Sequence, residues 1–398
     1  MYANEIIFKD PFKMSLIRYL NSVEIEPGAL RHLNKGCIDN NIRRPLVVTD
    51  AGVRSAGLLD RLLEHLSLDQ VAVFDQTPSN PTEKSVRAAV EIFHEEKCDG
   101  LIALGGGSSI DCAKGVCIAV SHDGPLKNYA TIEGGSVKIT DRVAPLIAVP
   151  TTAGTGSEVA RGAIIIVDDG RKLGFHSWFL MPKLAILDPD LTTGLPPGLT
   201  AATGMDAIAH CMESFMAAAF NPPADGIALD GLERGWANIA LATQDGSNQE
   251  ARLNMMCASM QGALAFQKGL GCVHSLSHSL GGVNPKLHHG TLNAMFLPAV
   301  IDFNADAPSV IKEKRLERMA RAMGLGELGS AKQASDVLGK AIVQMNQTLG
   351  LPTGLAAMGV TPDCFEQVID GAMLDHCHTL NPRLATREDY KRMLQAAL

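Results

Sequence analysis

The sequence predicts an α/β N-terminal domain, a parallel sheet with helices on both faces, over residues 1–196, followed by an all-α domain over residues 197–398. Three observations point there. From Pro45 to Leu191 short apolar runs alternate with segments of helical period, the pattern of strands that are buried on both faces. One of those runs leads straight into the glycine triplet Gly105-Gly106-Gly107 and a helix start. After Pro197 the strand signals stop, and helical segments separated by glycine and proline breaks take over. A chain of 398 residues is long enough for each domain to bury its own core.

Within the first 30 residues, EIIF and VEIE are short strand candidates, and Pro27-Gly28 is a turn ahead of a helix. PLVVTD, ending at Asp50, reads as a buried strand, Ser55 to His65 as a helix, and QVAVFD as a second strand. Glu83 to Lys97 is an amphipathic helix with Val86, Val90 and Phe93 on one face, and DGLIALGGG is a third strand. APLIAV forms another strand, GAIIIVDDGRKLGF a hairpin turning at Asp169-Gly170, and KLAILDPDL a last strand before the boundary. Beyond it, Thr200 to Ala219, Ala224 to Leu241, Glu250 to Gln267 and Ala331 to Leu349 read as helices, the third with methionines that fill a core. Thr386 and Asp389 cap a final amphipathic helix.

Two loops invite a phosphate-bearing ligand. In GGGSSIDCAK a strand passes through three glycines into a helix with Ser108 as its expected N-cap, which leaves backbone N–H groups at a helix N-terminus. It is neither the G-x-G-x-x-G fingerprint nor a Walker loop, and a glycine-rich turn standing alone is more often only a tight turn. PTTAGTGSE, with Thr151 and Thr152, follows the next strand and offers hydroxyls between glycines; the plain alternative is a solvent-exposed loop. Asp50, at the carboxyl end of its strand, suits a ribose and would repel a 2′-phosphate, or it caps a helix.

The other concentration of chemistry lies in GLGCVHSLSHSLGGVNPKLHHGTLNA. His274, His278, His288 and His289 fall there, and Asp206 and His210 stand upstream in GMDAIAHCMES. On helices, Asp206/His210 and His274/His278 are both i, i+4 pairs, so each pair shares one face and the two faces can converge on a cation. Imidazole with carboxylate suits Fe²⁺ or Zn²⁺ rather than Ca²⁺ or Mg²⁺. A lone histidine would be a satisfied polar residue, but the cluster argues otherwise. The pair His274/His278 has the zinc-protease spacing without its Glu, so a metalloprotease is not expected.

A net charge of −8 leaves no basic surplus for nucleic acid or an anionic membrane. The apolar stretches are too short or interrupted to span a bilayer, and the N-terminus lacks a signal-peptide pattern. Nine cysteines without a CxxC fit reduced thiols in a cytoplasm. The expected partner is a small molecule.

Together GGGSSIDCAK, PTTAGTGSE, GMDAIAHCMES, GCVHSLSHSLGG and HHGTLNA, with PSNPT and NPR, resemble the iron-containing (group III) alcohol dehydrogenase family over nearly the whole chain, the first twenty residues matching least. The resemblance implies a dehydroquinate synthase-like architecture: an N-terminal dinucleotide-binding domain, a helical metal-binding domain, and NAD(P) with one divalent metal in the cleft between them. By position it implies Asp206, His210, His274 and His289 as metal ligands, and His278 as an unligated active-site histidine that relays a proton. Leu287-His288-His289 stands where the family has proline-histidine, so His288 stays open as the fourth ligand. The stretch from Phe266 to His274 is one residue shorter than the family pattern, which leaves the substrate-side phenylalanine unassigned. Asp50 corresponds to the acid associated with NAD preference, Gly106, Gly107, Ser108 and Asp111 to the cofactor motif, and Thr151 and Thr152 to the loop beside the cofactor. The implied activity is metal-assisted hydride transfer between a small primary alcohol, diol or hydroxy acid and its carbonyl form, in a homodimer, with NAD before NADP and Fe²⁺ before Zn²⁺. Maleylacetate reductase-like and 4-hydroxybutyrate dehydrogenase-like activities are alternatives. A dehydroquinate synthase-like lyase is weaker, because 199–230 has no Lys or Arg to hold a sugar phosphate.

Overall fold

The computed structural model describes residues 17–19 and 21–398, so the strand expected at EIIF lies outside the described residues. Among the described residues there are eight strands: β1 (Ser22–Ile25), β2 (Pro45–Val48), β3 (Ala72–Phe74), β4 (Gly100–Gly105), β5 (Leu146–Pro150), β6 (Gly162–Ile166), β7 (Lys172–His176) and β8 (Leu184–Leu187). Six of them form one parallel sheet in the order β1-β8-β5-β4-β2-β3, while β6 and β7 make a separate antiparallel hairpin with Gly170 in its turn at φ 84. Helices α1 (Leu33–Asp39), α2 (Ala51–Ser55), α3 (Leu58–Leu63), α4 (Glu83–Glu95) and α5 (Gly107–Ala119) cover it. Successive side chains of a strand point to opposite faces, so Leu46, Leu101 and Ala148 pack with Val86 and Ala89 of α4 on one side. Val47, Ile102 and Ile147 pack with Leu33 of α1 and Leu62 of α3 on the other.

The strand order reverses between β2 and β4, and at such a switch point the crevice beyond the carboxyl ends of parallel strands is open to a ligand. Asp50 follows β2 and the glycine triplet ends β4, so both flank that crevice.

From Pro197 the chain is helical: α6 (Pro197–Met216), α7 (Pro222–Gln244), α8 (Gln249–Ala265), α9 (Cys272–Val283), α10 (His289–Asn304), α11 (Pro308–Lys312), α12 (Arg315–Ala322), α13 (Ala331–Thr348), α14 (Phe365–Leu374) and α15 (Arg387–Ala397). Helix α6 is buried along nearly its whole length and packs against α7, α8 and α10, with Met255 and Met256 of α8 filling the core as expected. No helix among the described residues is long and apolar enough to cross a membrane. All nine cysteines are free thiols.

Two local expectations need correction. The helix expected from Ser55 to His65 is broken into α2 and α3 by Gly57, which sits at φ 75 ahead of α3. Ser108 does not cap α5: Gly106 holds the N-cap position, and the Ser108 hydroxyl donates to the Ser79 carbonyl at 2.5 Å. Helices α10, α11, α12 and α14 lie outside the elements expected from the sequence.

One buried cluster joins the sheet to the hairpin. The fully buried Lys114 of α5 directs Nζ at the Ser157 carbonyl (2.7 Å), the Ser157 hydroxyl (2.9 Å), the Ala160 carbonyl (2.8 Å) and the Gly162 carbonyl (2.7 Å). Asp111, one turn earlier, accepts from the Ser157 hydroxyl at 2.6 Å and from the Ile164 N–H at 2.8 Å. Burial pushes the lysine down to about 8 and the Asp111 carboxyl up, each opposed by the charge of the other. Lys114→Met removes the ammonium and strands both the carboxylate and the loop carbonyls. It is expected to cost about 3–5 kcal/mol, read as a lower urea midpoint; an unchanged midpoint would refute the role assigned to the cluster.

Candidate active site

Helices α6, α9 and α10 meet around a single carboxylate oxygen. Asp206 Oδ1 lies 3.8 Å from His210 Nε2, 3.8 Å from His274 Nε2 and 3.6 Å from His289 Nε2. Ligand atoms of Asp206, His210 and His274 lie within 4.8 Å of one another, and all three residues are buried. Both i, i+4 pairs anticipated from the sequence are on helices, so the spacing argument holds in three dimensions. His289 is the residue that reaches the cluster; His288 is an exposed N-cap of α10. Gly290 makes that approach feasible: a Cβ there would fall 2.1 Å from the Ala202 carbonyl oxygen of α6.

The orientation of the rings is set from behind. Glu213, a further turn along α6, approaches His274 Nδ1 to 2.5 Å and accepts from the Val273 N–H at 2.8 Å. Burial pushes the Glu213 carboxyl up to about 8 against the opposing pull of the N–H groups of Val273, His274 and Gly271. A proton held on His274 Nδ1 by this carboxyl would leave the Nε2 lone pair toward Asp206. Burial likewise holds His274 well below the ordinary imidazole range and His289 down at about 3, which leaves both neutral. The Asn293 amide donates to Asp206 Oδ1 at 2.7 Å. Phe266 sets its ring edge against His210 at 5.3 Å between centroids.

These residues fit a divalent cation. Three imidazole nitrogens turned toward one buried carboxylate oxygen form a donor set that Fe²⁺ or Zn²⁺ takes and Ca²⁺ or Mg²⁺ does not. His210 Nδ1 and Asn293 Oδ1 are buried without a hydrogen-bond partner among the described residues, as in a site whose polar atoms are arranged around something other than each other.

His278 stands beside the cluster, its ring stacked on His289 at 5.3 Å. Its Nδ1 lies 3.0 Å from Asp375 Oδ2. Asp375 also accepts from the Cys377 N–H at 2.8 Å, and the charges of His278 and His376 hold its carboxyl below the usual range although burial would raise it. A second group of potential ligands, His278, Asp375, His376 and Cys377, therefore adjoins the first. Sequence reasoning missed Glu213, Asn293, Asp375 and His376. The spacing Asp206/His210/Glu213, i, i+4 and i+7 on one face, was the available sign for Glu213. Nothing local announces Asp375 and His376.

At the crevice, Asp50 Oδ1 caps α2 by accepting from Gly52 and Val53 N–H, while Oδ2 accepts from the Ser109 hydroxyl at 3.2 Å. Gly106 and Gly107 open α5 with no side-chain cap. The Thr151–Ser157 loop packs against them: Thr151 N–H donates to the Gly105 carbonyl at 3.1 Å, and a Cβ on Gly106 would meet Thr152 Oγ1 at 3.2 Å. Asp111 spends both oxygens on Ser157 and Ile164, so it braces the loop rather than facing the crevice.

The chain matches the family model for iron-containing alcohol dehydrogenase over residues 21–189 and that for the C-terminal part of the same family over residues 200–398. A 4-hydroxybutyrate dehydrogenase of Cupriavidus necator is 61% identical over 389 residues, covering 97% of this chain and 100% of the relative. The crystal structure of a 1,3-propanediol oxidoreductase superposes with a TM-score of 0.91 at 33% identity, covering 96% of this chain and 100% of that one. A sulfoacetaldehyde reductase from Bifidobacterium kashiwanohense, solved in complex with NAD⁺, gives 0.86 at 26% identity, covering 96% and 99%. With both halves matched and the buried Asp-His cluster in place, the chain belongs to the iron-containing alcohol dehydrogenase family and is a metal-dependent dehydrogenase of that kind.

Proposed function

We propose that the protein is an NAD-dependent dehydrogenase that interconverts a short ω-hydroxy acid, 4-hydroxybutyrate or a near homologue, with its semialdehyde. The observation that carries this reading is the 61% identity with a 4-hydroxybutyrate dehydrogenase across nearly the full length of both chains. In it Asp206, His210, His274 and His289 hold one divalent cation, Fe²⁺ in preference to Zn²⁺. When bound there, the cation would supply Lewis-acid polarisation of the substrate oxygen, and a nicotinamide cofactor would supply or accept the hydride. The N–H groups of Gly106, Gly107 and Ser108 would hold the cofactor diphosphate, with Thr151 and Thr152 alongside and Asp111 fixing the loop from beneath. The Asp50 carboxylate at the same crevice would repel a 2′-phosphate, which favours NAD over NADP. The division into domains at residues 196 and 197, the homodimer and a cytoplasmic location belong to the same reading.

His278 handles the proton. With Nδ1–H donating to Asp375, Nε2 is left to accept a proton from the reacting alcohol and pass it outward, since the side chain is half-buried and reaches solvent. The lyase reading loses ground to the family match, and no basic residue on α6 adds to it.

Three measurements test these assignments. Chelator-stripped protein with NAD⁺ is expected to oxidise 4-hydroxybutyrate ahead of 1,4-butanediol and 1-butanol only after Fe²⁺ or Zn²⁺ is restored. Failure with every alcohol, either metal and either nicotinamide cofactor would overturn the proposal. His278→Ala is expected to keep its metal by elemental analysis while kcat falls about 10²–10⁴-fold; metal lost together with activity would make His278 a ligand. Glu213→Gln is expected to weaken metal binding about 10–100-fold in a competition titration, and wild-type affinity would exclude the orienting role.

A further inference from the structure

The file of rings that begins at the metal cluster continues outward. His278 stacks on His376 at 5.8 Å between centroids, and His376 faces His176 at 5.9 Å. His176 ends β7, so this last contact joins the hairpin of the α/β half to the segment after α14 in the helical half. The imidazole of His176 lies flat along the hairpin. A Cβ on Gly162, its cross-strand partner, would come within 2.9 Å of Cδ2, and one on Gly174 within 3.0 Å of Cε1. Two glycines thus make the bed in which this ring rests.

One nitrogen of each of these two rings has no hydrogen-bond partner among the described residues. His176 Nδ1 contacts the Thr131 hydroxyl at 2.8 Å, and Nε2 has no hydrogen-bond partner among the described residues. The His376 side chain is 55% exposed, its Nδ1 is 3.7 Å from Asp375 Oδ2, beyond hydrogen-bond reach, and its Nε2 touches only the Cys377 sulfur at 3.4 Å. Arg161, just ahead of β6, is half-buried with its guanidinium over the Trp178 ring at 4.6 Å; among the described residues it has neither an ion-pair nor a hydrogen-bond partner. Burial, and then the charges of His376 and Arg161, push His176 down to about 4. The carboxylate next to His376, Asp375, is already held by His278 and the Cys377 N–H.

We propose that His176 and His376, with Arg161 behind them, form an anion subsite that binds the carboxylate of an ω-hydroxy acid whose hydroxyl end reacts beside His278. This inference rests on the substrate reading above. From hydroxyl oxygen to carboxyl carbon, a four-carbon hydroxy acid spans roughly 5 Å by standard bond lengths. A hydrogen bond adds about 3 Å, so a substrate whose hydroxyl lies beside His278 is long enough to pass the 5.8 Å between the His278 and His376 rings. The subsite spans the two halves of the chain, so its donors are in place only when the hairpin and the helical half are together.

The test compares kcat/KM for 4-hydroxybutyrate and for 1,4-butanediol, a neutral substrate of the same chain length, in the wild type, His176→Phe, His376→Phe, His376→Gln and Arg161→Met. The acid-to-diol ratio is expected to fall about 10–100-fold in the Phe and Met variants, mostly through KM for the acid, and to recover in part in His376→Gln, which keeps an N–H donor. Inhibition by butyrate should weaken in the same variants. A wild-type acid preference that survives in all of them, or acid and diol activities that fall together, would overturn the subsite while leaving the proposed function standing. A wild type with no preference for the acid would remove the substrate reading and the subsite with it.

Discussion

A lysine ammonium sealed from water must find oxygen acceptors inside the protein, and Lys114 finds them in the backbone that leads from the second glycine-rich loop into the hairpin. The same helix presents its open N-terminus, Gly106 and Gly107, at the crevice, and Asp111 holds the loop from the other side. Three parts of the candidate site therefore share one buried reference: the amide groups at the start of α5, the Thr151–Ser157 loop and, through β6, the hairpin that carries His176. None is well held by its own local structure, since glycines, short hydroxyl residues and a two-stranded hairpin are weak scaffolding. The charged cluster supplies the rigidity that those segments lack.

The helical half solves a different problem, which is to bring four donors to one point. Helical spacing alone aligns Asp206 with His210 and His274 with His278, but only one member of the second pair belongs to the cluster. The choice is made by neighbours. Glu213 turns His274 toward Asp206, while Asp375 turns His278 away to a station beside it. Gly290 lets α10 close on α6 so that His289 completes the set. A donor set becomes specific through residues that do not themselves belong to it.

Much of this was legible in the chain itself. Continuous apolar runs marked the strands buried on both faces, and i, i+4 spacing marked the faces that converge. What escaped had physical reasons. Ser108 looked like a cap because hydroxyls usually are, yet Gly106, two residues before it, adopts the extended N-cap conformation. The break between α2 and α3 depends on the positive φ of Gly57, and no hydrophobic period reports a dihedral angle. The choice between His288 and His289 turns on which residue starts α10, and helix ends are the least determined feature of a sequence pattern. Asp375 and His376 come from a segment about a hundred residues beyond α9 with no periodic signal, and His176 comes from the other half of the chain. Contacts of that kind arise only from the tertiary fold.

The edge of the sheet carries one more consequence. β1 pairs with β8, and Asp188, just after β8, accepts hydrogen bonds from the N–H groups of Gly28 and Leu30 at 3.0 Å each. Every other strand of the half lies in the chain between these two partners. During synthesis β2, β3 and β4 can pair as they emerge, so the crevice beside Asp50 and the glycine triplet takes shape early. The opening strand has to wait, uncommitted, until the eighth has been made, and the entropy of closing that long loop falls on the last step of sheet assembly.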